Sequence, residues 1–161
     1  MFGVTNLYRG YDAKCIFSEG RCANYNLRNL IIHLLACHTA ERFGPDLIQN
    51  YDCSAFFGYD DAFAYPKDPT NRSEVYRFFE CDATVDLALA EGKTADAAFL
   101  RAHQTFHDNI DTLQNDGFYY AEACMDRIRD YFRGPTWSYG NPRAKLTPLV
   151  RLQPERPEAR P

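Results

Sequence analysis

Asn29-Leu30-Ile31-Ile32-His33-Leu34-Leu35-Ala36-Cys37-His38-Thr39-Ala40 is the stretch on which the reading of the fold turns. Its apolar residues run on without alternating with polar ones, the pattern of a strand covered on both faces of a parallel sheet. The run predicts a strand over 29–36 that ends at Cys37. From Thr39 to Ile48 the chain reads as a strand-to-loop-to-helix passage, with Thr39 a candidate helix cap and Gly44-Pro45 a break before a second helical start. A second buried run, Cys53-Ser54-Ala55-Phe56-Phe57-Gly58-Tyr59, follows after a spacing that suits a crossover helix between parallel strands. Strand, helix, strand is the unit that results.

Outward from this unit the pattern changes. Tyr65-Pro66-Lys67-Asp68-Pro69 opens a proline-punctuated loop. Val75, Phe78, Phe79, Val85, Leu87 and Leu89 then belong to one helical region, which Gly92 breaks. Thr94 caps a second helix, in which Ala98, Ala102, Phe106 and Ile110 recur at four-residue steps. A third helix is predicted over 118–132, and a last strand over 144–150. Residues 1–150 are expected to form one domain without internal repeats, and 151–161, rich in proline and charge, a disordered tail.

The chain has 161 residues, of which 45% are hydrophobic and 15% aromatic, enough for a real core and too many for a disordered protein. No apolar run approaches the ~20 residues needed to cross a bilayer, so no membrane association is expected. The first residues, Met1-Phe2-Gly3-Val4-Thr5-Asn6, have neither a basic nor an apolar leader segment, which points to the cytoplasm. The net charge is −4, with Lys and Arg scattered rather than striped, so nucleic acid is not an expected partner. Six cysteines are present without a Cys-x-x-Cys pair and read mostly as free thiols.

A cysteine at the carboxyl end of a central parallel strand lies where open α/β sheets bind ligands. A histidine or a helix N-terminus nearby would favour its thiolate. Cys37 is the cysteine so placed. The segment from Leu30 to Ala40, followed by Cys53 to Tyr59, resembles the catalytic-cysteine region of caspase-like peptidases of the CHAT and gingipain branches. Leu89-Ala90-Glu91-Gly92-Lys93-Thr94 and Tyr139-Gly140-Asn141-Pro142-Arg143-Ala144 resemble later passages of that domain, so the likeness covers residues 13–150. It implies a cysteine endopeptidase in which Cys37 attacks the scissile carbonyl, a histidine moves the proton and backbone amides hold the oxyanion. It also implies a parallel sheet with the cysteine strand central and helices on both faces, the carboxyl-terminal half of a caspase-like domain.

The family takes its histidine from a His-Gly step upstream. The matching position here is Phe2-Gly3, where Gly3 keeps the oxyanion glycine and phenylalanine stands for histidine. The domain is therefore expected to be incomplete at its amino end. His33 lies about 13 Å from Cys37 along an extended strand, too far to serve as base. It reads instead as a hydrogen-bonded core histidine, and His38 would need an unusual backbone turn to act. Asp60 and Asp61, just past the second run, are candidates for an acidic pocket selecting a basic substrate residue. His103, His107 and Asp111 share one helix face, but without a second cluster they read as solvated surface. Neither a metal nor a cofactor is expected.

Two functions follow. In one, the chain is a cysteine peptidase acting on peptides or proteins, its histidine and missing strands supplied by another chain or a second copy. In the other it is an inactive interaction or scaffolding module, or a truncated reading frame. A small α/β binding protein unrelated to peptidases is a third class. A sheet that starts at the cysteine strand, its neighbours missing, leaves an unpaired apolar strand edge, and with it self-association or a second chain is expected.

Overall fold

The computed structural model describes residues 7–9, 15–18, 26–66, 72–135 and 139–146. Two short strands, β1 (Leu7–Arg9) and β2 (Cys15–Ser18), form an antiparallel pair by themselves. A three-stranded sheet follows, built from β3 (Ile31–His33), β4 (Ala55–Tyr59) and β5 (Phe132–Arg133) in the order β3-β4-β5. Helix α1 (Phe43–Tyr51) crosses from β3 to β4, and α2 (Arg72–Ala90), α3 (Ala95–Asn115) and α4 (Tyr119–Tyr131) lie between β4 and β5.

β4 is the axis of the molecule, because all five of its residues are buried. Successive strand side chains point to opposite faces, and the core divides accordingly. Ala55, Phe57 and Tyr59 join the larger cluster made with α2, α3 and α4, while Phe56 packs with Ala40, Phe43 and Leu47 on the α1 side. Helices therefore cover both faces of the sheet, as expected. The sheet itself differs from the expectation. β3 runs parallel to β4, with Ile32 opposite Phe56, but β5 is antiparallel to it, so the sheet is mixed. Among the described residues the cysteine strand is not central: β3 is an edge, half-buried along its whole length. It is also short, ending at His33, so Cys37 stands four residues beyond the strand, inside a turn. Leu34, Leu35 and Ala36 supply the apolarity of a strand but have no second strand to pair with among the described residues, and Leu35 is exposed.

The crossover helix forms differently from its sequence signals. Thr39 does not cap it; its hydroxyl donates to the Ala36 carbonyl at 3.0 Å, closing the preceding turn. Gly44 and Pro45 fall within the first turn of α1 rather than breaking it, a position where a proline's missing N–H costs nothing. The helix stops at Asp52, in the left-handed conformation with φ 55°, and the N–H groups of Asp52 and Cys53 both return to the Leu47 carbonyl.

The helical half follows the sequence closely. Gly92, with φ +79°, turns the chain out of α2, and the Thr94 side chain accepts from the Ala97 N–H at 3.2 Å to start α3. Ala98, Ala102, Phe106 and Ile110 are all buried. The buried Asn109 fastens α3 to α2, accepting from the Arg77 guanidinium at 2.9 Å and donating to Glu80 Oε2 at 3.2 Å. Residues 144–146 form no strand; 147–150, the tail and Gly3 lie outside the described residues.

The rings of β4 and β5 build the centre of the core. Phe57 stacks on Phe132 at 6.4 Å and Phe132 on Phe99 at 5.2 Å, while Phe106 and Tyr59 close round Phe132. Phe57→Ala is expected to destabilise the fold by about 3–5 kcal/mol, the cost of removing a fully buried ring from a core that cannot collapse round the gap. Urea unfolding checks this, with an unchanged m-value showing that the cost falls on the native state.

Candidate functional site

Cys37 is placed by three backbone hydrogen bonds that fold residues 34–40 over the end of β4. Leu34 donates to the Phe57 carbonyl at 3.0 Å, Ala40 to Tyr59 at 3.0 Å and His38 to Asp61 at 3.2 Å. The close approach depends on Gly58: a Cβ there would lie 2.6 Å from Thr39 Oγ1 and 2.7 Å from the Phe56 ring. His38 completes the turn with φ 59°, a left-handed conformation uncommon for a residue with a side chain. The exposed Cys37 sulfur accepts a hydrogen bond from the Phe63 N–H at 3.2 Å.

All four histidines lie within the described residues, and none hydrogen-bonds to Cys37. His38, its neighbour in sequence, turns Nδ1 to Glu41 Oε1 at 2.8 Å and has Nε2 3.9 Å from Asp61 Oδ1. His107 Nδ1 lies 3.5 Å from the Arg129 guanidinium. His103 departs from the solvated face expected for it: it packs against Phe99 at 4.4 Å and between Phe106 and Phe132, with its Nε2 buried and without a partner. Burial, reinforced by the charges of His107, Arg129 and Arg133, lowers its pKa and keeps it neutral. Among the described residues no group of three or more His, Cys, Asp or Glu side chains could hold a metal ion.

The two candidate substrate carboxylates separate. Asp60 Oδ2 is held by Arg133 Nε at 2.7 Å, binding the end of β4 to β5. Burial raises the Asp60 pKa against the opposing pull of that guanidinium. Asp61 stays beside the cysteine turn, where its Oδ1 accepts from the Ala62 N–H at 2.6 Å. Phe57 and Tyr59, just before them on β4, are core residues. Phe63, Tyr65 and Phe79 form an aromatic group next to the cysteine turn, Tyr65 lying 5.3 Å from Phe79 and Phe63 6.1 Å from it.

A separate electrostatic feature is centred on His33. Its side chain is only 7% exposed and is held between two carboxylates of α2: Nε2 is 3.0 Å from Asp82 Oδ1 and Nδ1 3.1 Å from Asp86 Oδ1. The same Asp82 oxygen accepts from the Tyr59 hydroxyl at 2.8 Å. Burial pulls the imidazole pKa down, but hydrogen bonds to Asp82 and Asp86 and their charges outweigh it, raising the pKa to about 9. An imidazolium donating from both nitrogens thus bolts the edge strand to α2. The expectation of a hydrogen-bonded core histidine holds, but its partners lie 49 and 53 residues away in sequence. One signal for them existed: Asp82 falls on the α2 face of Phe78, Cys81 and Val85, which are all buried.

No family model matches the chain, and neither a curated protein nor a solved structure does.

Two outcomes follow. Because the folded pKa of His33 lies above its unfolded value, its contribution to stability is complete below about pH 6.5 and is lost as pH rises to about 9. Wild type should lose on the order of 3 kcal/mol of unfolding free energy across that window relative to His33→Gln; parallel pH profiles would remove the imidazolium from the account. Of Cys37, Cys53, Cys81 and Cys124, neutral alkylation should label the exposed Cys37 fastest. Cys81, buried and with its thiol pushed up to about 12, should react only after unfolding, a contrast that peptide mass mapping reads.

Proposed function

We propose that this chain is a non-catalytic interaction module whose open edge, β3, pairs with the same strand of a second copy. The observation that carries the reading is the half-buried β3 at the rim of a sheet whose next strand is buried throughout. The parallel register turns the backbone groups of Leu30, Ile32 and Leu34 toward β4, with Leu34 donating to Phe57 and Leu30 accepting from Ala55. Those of Ile31 and His33 point the other way, and among the described residues no strand pairs with them. Free edges of this kind template further pairing. A strand meeting its own copy across a two-fold axis is self-complementary, as closed dimers require. Leu30 and Leu35, 45% and 39% exposed, flank the edge and supply apolar surface to bury.

The arrangement at Cys37 supports the non-catalytic form of the caspase-like reading over the peptidase. A general base must come near hydrogen-bond reach of the group it deprotonates. The Cys37 sulfur is instead engaged by the Phe63 N–H, and His38 is turned to Glu41.

Sedimentation velocity over a wide concentration range tests this function. A concentration-dependent dimer is expected, weakened about tenfold or more in a Leu30→Lys, Leu35→Lys double variant, since edge lysines oppose strand pairing. Monomer at every concentration, or an equally tight dimer in the variant, would overturn the edge-pairing role. Peptide turnover by the purified chain that disappears in Cys37→Ala would instead establish the peptidase.

A further inference from the structure

At the end of the sheet away from the cysteine turn, where β4 begins and α1 ends, the surface dips into a shallow cavity, wide open to solvent, of about 530 Å³. Arg28, Asp52, Ser54 and Asn141 line it with polar groups, and Ile48 with an aliphatic wall. Its frame is set by backbone contacts. Asn29 N–H donates to the Asp52 carbonyl at 3.0 Å, and Asn141 N–H to Ser54 at 2.6 Å. Gly140 bridges to Ala55 at φ +118°, and a Cβ there would lie 2.4 Å from the Ser54 carbonyl oxygen, so only glycine lets this wall stand so close.

The charges in the cavity are divided. Arg28 and Asp52 are both exposed and both line it, yet they form no ion pair with one another, nor with any other described residue. Asp52 caps the carboxyl end of α1, whose last turn carries no basic residue. The negative end of the helix dipole therefore adds to the carboxylate, and a cation is favoured on that side. On the other side a guanidinium, with its planar fork of donors, is suited to a carboxylate. A ligand with charge of one sign would satisfy one wall and be repelled by the other.

We propose that this cavity binds a small zwitterion, its ammonium group at Asp52 and the α1 terminus and its carboxylate on Arg28, with an apolar side chain against Ile48. A free α-amino acid and a short peptide with both termini unmodified and charged share this chemistry. The proposal does not rest on strand pairing at β3, although Arg28 and Asn29 stand just before that strand.

Titration calorimetry with L-leucine and with the dipeptide Gly-Leu tests it. Saturable binding of at least one is expected, weakened about tenfold or more when N-acetyl-L-leucine or L-leucinamide replaces leucine, or when the matching blocked dipeptides replace Gly-Leu. Arg28→Gln and Asp52→Asn should each cause a similar loss at unchanged melting temperature. Both positions are exposed, and asparagine tolerates the left-handed backbone at Asp52. Tighter leucine binding assigns the site to a free amino acid, and tighter dipeptide binding to a peptide. The proposal is overturned if neither ligand gives saturable heat up to about 10 mM, beyond the millimolar range of weak specific sites. Equal binding by the blocked analogues or by both variants overturns it as well.

Discussion

A strand covered on both faces has to find two apolar layers at once, and β4 dictates the rest of this molecule by that requirement. Ala55, Phe57 and Tyr59 need the three long helices on one side, and Phe56 needs α1 on the other. Gly58 is small because the turn of residues 36–40 presses on the sheet at that point. The tyrosine hydroxyl at the end of the strand would be costly to bury alone, and the Asp82 carboxylate that accepts its proton also accepts one from His33. One carboxylate oxygen therefore ties the central strand and the edge strand to α2.

Where sequence and structure agree, the signal was local. A continuous apolar run identified β4, four-residue spacing and a threonine cap identified α3, and Gly92 marked the break before it. Where they part, the deciding partner is remote. The run from Leu30 to Ala36 is as apolar as β4, but apolarity does not say how many neighbours a strand will have. Among the described residues β4 alone flanks the strand, which ends at His33, and Cys37 passes into a turn. The direction of β5 was beyond reach for the same reason: two residues directly after a helix carry no periodicity.

The site was legible only in part. An exposed cysteine beside a sheet end could be named from the sequence, but not the amide that occupies it, because Phe63 comes from the far side of β4. Asp60 and Asp61 looked alike as neighbours in a loop, yet alternate geometry sends one to Arg133 and leaves the other beside His38. The cavity at Arg28 and Asp52 carried no motif at all, since its walls come from three separate stretches of chain.

The attachment of β3 has a consequence for motion. The strand is held to the body by one ladder to β4 and by the grip of Asp82 and Asp86 on His33. Few contacts hold it compared with β4, so it forms the natural unit of local opening, and its amides should exchange with solvent long before those of the central strand. Deprotonating one ring would loosen that unit without melting the helices, making the rim of the sheet a segment that can breathe while the core stays shut.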